Sequence, residues 1–127
     1  MRVRVQVVIE SETGEGEIIQ EVARLERTAL QPEQLGLTLA EAKSLLESVQ
    51  QTMVTQQVNE YIAQCRSCPH CGKARGRKGK HEIVYRTLFG KLELESPRLY
   101  ECPCQQEASR RSVSPLAELL CRFGNAA

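Results

Sequence analysis

Cys68-Pro69-His70-Cys71-Gly72 and Cys102-Pro103-Cys104 are the two stretches on which the fold turns. Two close cysteine pairs about thirty residues apart have the spacing of a four-thiolate metal site. Pro69 presets a turn between the first two thiols. Gly72 supplies the left-handed backbone that lets nearby amides point at sulfur. Between the pairs, His81 to Leu88 and Lys91 to Leu99 read as two strands, with Leu92 and Leu94 alternating with Glu93 and Glu95 and with Phe89-Gly90 as the turn. A hairpin of that length brings Cys71 back to Cys102, so residues 65–104 are predicted to form a zinc ribbon. Pro97 is expected near a strand end or on an edge. The metal is read as structural zinc bound by Cys68, Cys71, Cys102 and Cys104, because four protein ligands leave no open position for catalysis. Iron is the chemical rival on the same ligands. Cys65 makes an overlapping C-x2-C with Cys68 and ranks as a spare ligand. His70 and His81 are alternative ligands, each read first as a solvated histidine, and Cys121 reads as a packed thiol.

Composition favours that reading over disulfides. The chain has 127 residues, 41% hydrophobic and 26% charged, with aromatics at 4% and no Trp. Such a chain has a thin aliphatic core that a metal would reinforce. No stretch has the length and apolarity of a membrane span, and Met1-Arg2-Val3-Arg4-Val5 does not resemble a secretory leader. The expected compartment is the cytoplasm, where paired cysteines bind metal rather than cross-link.

Upstream, Val3, Val5 and Val7 alternate with Arg2, Arg4 and Gln6, a strand with one apolar face. Ser11 to Gly16 is a turn, and Glu17 to Arg27 is a returning strand or a short helix, the strand being favoured by β-branched Ile18, Ile19 and Val22 and by the turn. Thr38-Leu39-Ala40-Glu41 is a capping box. It opens a helix that runs to about Gln64 with Leu39, Ala42, Leu46, Val49, Met53, Val58 and Ile62 on one face. That stripe is expected to be core, partly against the first hairpin, with its far end available to a partner helix. Downstream, Pro115 to Cys121 reads as a short helix and Gly124 to Ala127 as a frayed end. The expected fold is therefore α+β: a β-hairpin and long helix over 1–64, a zinc ribbon over 65–104 and a tail with a short helix over 105–127.

Lys73, Arg75, Arg77, Lys78 and Lys80 crowd one loop with Gly76 and Gly79, and no acidic residue intervenes before Glu82. Net charge is only +1, so the clustering carries the information. The run is suited to phosphate contacts with DNA and has few groups that would read bases. Part of it can also balance a negative thiolate centre. The chain has no phosphate-binding glycine loop and no nucleophile set, so it reads as a binding module rather than an enzyme.

Cys68-Pro69-His70-Cys71-Gly72, Arg86-Thr87-Leu88-Phe89-Gly90, Ser96-Pro97-Arg98 and Cys102-Pro103-Cys104, in that order, resemble the N-terminal region of bacterial insertion-sequence transposases of the Kra type. Leu35 to Lys43 and Ser114 to Leu120 resemble it too. The resemblance implies recognition of transposon DNA, with zinc on the same four cysteines. In that family an RNase H-like catalytic domain follows this region. Cys121 to Ala127 no longer look like the family, which leads to the expectation of a truncated frame without strand-transfer activity. Two alternatives stand beside it. One is a module that pairs through the helix over 38–64, with another copy or with a full-length transposase, and modulates it. The other is a degenerate frame with no present role.

Overall fold

The computed structural model describes residues 1–104 and 111–122. Expectations for 105–110 and for the last residues, including a frayed Gly124 to Ala127, lie outside the described residues. The fold is α+β. In chain order it contains β1 (Arg2–Glu10), β2 (Glu17–Glu26), a 3-10 turn (Pro32–Gln34), α1 (Leu39–Cys65), β3 (Arg77–Thr87), β4 (Gly90–Tyr100), β5 (Ser112–Val113) and α2 (Pro115–Arg122). Two compact units, Met1–Val54 and Thr55–Ala127, divide the chain within α1.

In the first unit β1 and β2 form an antiparallel hairpin whose register shifts between Val5 and Gln6. Val22 is the extra residue, so the bulge lies in β2. The capping box closes as its spacing predicts. The Glu41 amide donates to the Thr38 hydroxyl at 3.1 Å, and the Thr38 amide donates to the Glu41 carboxylate at 2.9 Å. Arg27, at the end of the hairpin, also donates to Glu41 and to the carbonyls of Gln34 and Gly36. One arginine thereby ties the hairpin to the helix start.

The apolar stripe of α1 divides rather than forming core throughout. Leu39, Leu46 and Met53, spaced by seven, are 74%, 45% and 47% exposed. Ala42, Leu45, Val49 and Val58 are half-buried, and Ile62 alone on the helix is buried. Helical periodicity locates a broad apolar sector, but only the packed neighbours decide which edge of it is covered.

The second unit holds a three-stranded antiparallel sheet in the order β3-β4-β5. The β3–β4 hairpin turns at Leu88-Phe89, with Gly90 opening β4 at φ +123°. The Thr87 hydroxyl donates to the Gly90 carbonyl and accepts from the Phe89 amide, which closes the turn. Both strands run longer than expected, and Arg77, Lys78 and Lys80 are strand residues rather than loop residues. Pro97 is also displaced from its expected place: it is inside β4, the middle strand. It is tolerated because β5 pairs only with Leu99 and Tyr100, so the ladder on that side stops short of Pro97.

The apolar core of this unit is small: Ile62, Leu94, Leu99 and Leu116, with Cys68 and Cys102. Ser114 caps α2 by accepting from the Ala117 amide at 3.3 Å. It also bonds Ser96, which is fully buried, at 2.9 Å and His81 Nε2 at 3.3 Å. His81 is therefore half-buried in a hydroxyl network, not solvated, because the hairpin register sets it opposite Ser96.

The Arg27–Glu41 contact predicts a pH dependence. Arg27, with help from the Thr38 amide, lowers the Glu41 carboxyl from 4.5 to about 2. The fold favours the carboxylate, so its contribution is complete above pH 4.5 and is lost as pH falls through about 2. Glu41→Gln is expected to lower the thermal midpoint of helix loss at neutral pH. By circular dichroism, the gap between wild type and variant should close as the pH approaches 2.

Candidate metal centre

The first cysteine pair is on a tight loop after α1. The Gly72 amide donates to the Cys68 carbonyl at 2.9 Å, and the Cys68 amide donates to the Lys73 carbonyl at 2.8 Å. Gly72 adopts φ +74°, the left-handed conformation expected of it. A single bridge between Ser67 and Ala74 closes the loop behind the thiols. The second pair follows directly on β4, and the β3–β4 ladder carries it back to the first.

The four sulfurs of Cys68, Cys71, Cys102 and Cys104 all lie within 4.8 Å of one another. Cys71 and Cys102 are 3.3 Å apart, and Cys68 and Cys104 are 3.5 Å apart. Metal–sulfur bonds of about 2.3 Å in a tetrahedron give sulfur–sulfur edges of about 3.8 Å. The thiols are therefore already arranged to hold a metal ion. Cys68 and Cys102 are buried, Cys71 and Cys104 exposed, so the group has a dry side and a wet side.

Electrostatics orders the thiols. The Cys71 amide, followed by the His70 amide, lowers Cys68 from 9.0 to about 6. These amides aim their positive ends at one sulfur, as the turn geometry implies. Hydrogen bonding with Cys102, and then with Cys68, pushes Cys104 up to about 12. Four neighbouring thiols cannot all ionise unless a cation joins them, and a bound metal supplies that charge.

Cys65, His70 and His81 lie outside this group. Cys65 is half-buried and offers its carbonyl to Arg75, while His70 contributes its backbone amide to Cys68 Sγ at 3.5 Å. Cys121 is exposed on α2 rather than packed.

The five basic residues named from sequence occupy different environments. Arg75 is half-buried, and its Nε donates to the Tyr100 carbonyl at 3.0 Å while Nη1 reaches the Cys65 carbonyl at 3.4 Å. Its amide donates to the Arg66 carbonyl, and the Tyr100 amide donates to the Gly76 carbonyl, each at 2.7 Å. Arg75 thus joins the segments that lead into both cysteine pairs. Gly76 is constrained by the same approach, since a Cβ there would meet the Tyr100 ring at 3.2 Å. Lys80 pairs with Glu95 on the surface, while Lys73 and Lys78 are exposed without an ion pair among the described residues. Arg77 is exposed, and its charge helps Lys80 lower the Glu95 carboxyl. Arg98, which the basic run does not include, stands exposed across the ladder from Gly79. Strand pairing between distant segments is the only signal that finds it.

Purified chain is expected to carry one metal ion, measured by elemental analysis, with retention lost in Cys71→Ser and in Cys104→Ser. Metal affinity should fall with falling pH, because protons compete for the thiolates. Arg75→Met should keep the full ligand count but lower unfolding free energy in urea by about 2 kcal/mol, since two part-buried carbonyls lose a charged donor. Comparisons of the chain with family models, curated proteins and solved structures find no match.

Proposed function

We propose that this protein is a DNA-binding module built on a structural zinc ribbon, of the kind found at the N-terminus of insertion-sequence transposases. The observation that carries the reading is the four-cysteine group at the foot of a hairpin whose β3 strand begins with Arg77, Lys78 and Lys80. Zinc is favoured over iron by the scarcity of aromatic residues to shield a redox centre, and the closed all-thiolate set makes it structural. The metal acts as a staple, and the module works by binding rather than by catalysis.

Lys73, Lys78 and Arg77 are exposed cations of the run without an ion pair among the described residues, and Arg98 extends them onto β4. Lys80 contributes after releasing Glu95, an exposed pair that costs little to break. Arg75 supports the centre and does not reach phosphate. The contacts are to the DNA backbone, so binding is steeply salt-dependent and weakly selective in sequence. Fluorescence anisotropy with a short labelled duplex tests this. Affinity should fall as salt rises, and Lys78→Ala and Arg98→Ala should each flatten the slope by about one phosphate contact. Absence of binding, or binding indifferent to salt, refutes the reading.

A second reading draws on the exposed Leu39, Leu46 and Met53. Their seven-residue spacing suits a helical partner, so the helix over 38–64 serves association with another copy or with a full-length transposase.

A further inference from the structure

The open edge of β1 is an interaction surface, and its sequence specifies what fits it. Met1 and Arg27 exchange both backbone hydrogen bonds, at 2.9 and 3.0 Å, and the Ser11 amide donates to the Gly16 carbonyl at the other end of the hairpin. In an antiparallel ladder, residues bonded toward the partner strand alternate with residues directed away from it. The bulge residue belongs to β2, so the alternation along β1 is unbroken. Odd-numbered residues of β1 therefore face β2. Arg2, Arg4, Gln6, Val8 and Glu10 direct their N–H and C=O groups to the other side, where no strand pairs with them among the described residues.

Edge strands are commonly protected by charged side chains, proline or bulges. The charges on β1 are basic at its start and acidic at its end, so they match an antiparallel second copy rather than repel it. β2 has its bulge; β1 has neither bulge nor proline nor glycine. A two-stranded sheet is also marginal by itself. We infer that β1 pairs antiparallel with β1 of a second copy across a twofold axis at Gln6, forming a continuous four-stranded sheet.

Charge selects this occupant and this register. With the axis at Gln6, all five outward residues pair with outward residues, and Arg2 of one copy meets Glu10 of the other. A parallel arrangement would set Arg2 on Arg2. Self-pairing through β2 would bring the acidic ends Glu17 and Glu26 together. Glu10 already stands opposite Glu17 within its own hairpin, a like-charge pair that an incoming Arg2 relieves. Arg2 bonds Glu26 of its own chain at 2.9 Å on the exposed surface, and the new contact sets Arg2 between that carboxylate and Glu10 of the second copy. On one face, Val3 falls beside Ile9 and Val5 beside Val7, so the apolar face continues across the junction.

Sedimentation of the metal-loaded full chain tests the interface. Wild type is expected to dimerise, and R2E and E10R should each weaken the dimer about tenfold or more. An equimolar mixture of the two variants should restore it, since both acidic ends of the R2E strand then meet the arginines at the two ends of the E10R strand. The double variant R2E/E10R should likewise recover its own dimer, and L46E should leave the wild-type dimer intact. A monomeric wild type, single variants that dimerise normally, a mixture and double variant that both stay monomeric, or a dimer abolished by L46E would each overturn the proposal.

Discussion

Four sulfur atoms from two segments about thirty residues apart must meet within a few ångströms, and the second unit is organised around that requirement. The β3–β4 ladder returns the chain, and Arg75 fastens the segments beside each cysteine pair through the Tyr100 and Cys65 carbonyls. Two of the site cysteines are themselves core residues, alongside Ile62, Leu94, Leu99 and Leu116 and the buried prolines Pro97 and Pro115. So small an apolar core leaves metal binding and folding closely linked, because the sulfurs that would take the ion are also packing atoms.

That arrangement sets the electrostatics of its surroundings. A thiolate tetrahedron carries net negative charge even with a divalent ion, and nearby cations offset it. Arg75 directs its guanidinium to part-buried carbonyls, where its planar fork meets two acceptors. Lys73 and Lys78 point to water, and Arg98 joins them from the neighbouring strand. A run that looks uniform in sequence thus separates into a structural arginine and a set of exposed cations. Under the proposed function only the exposed cations meet phosphate.

The first unit depends on a different interaction. Arg27 and the Thr38 capping box both converge on Glu41, so one carboxylate fixes how the hairpin leads into α1. The hairpin has only two strands, and among the described residues no strand covers its β1 edge. The proposed pairing of two copies satisfies the backbone groups on that edge, with a register set by a basic start and an acidic end.

Local chemistry was legible in the sequence. The Thr38–Glu41 box, the left-handed Gly72, the alternating valines of β1 and the spacing of four cysteines each express a constraint acting over a few residues, and each occurs where that constraint places it. The α+β class follows from them. What depended on distant neighbours was not legible. Those features are the exposed half of the α1 stripe, the two-residue β5, Pro97 inside a middle strand, His81 held by Ser114, Arg75 turned inward and Arg98 brought beside the basic strand. Periodicity and spacing report what a segment can do by itself; burial and pairing are decided by which other segment arrives, and only the tertiary structure supplies that partner.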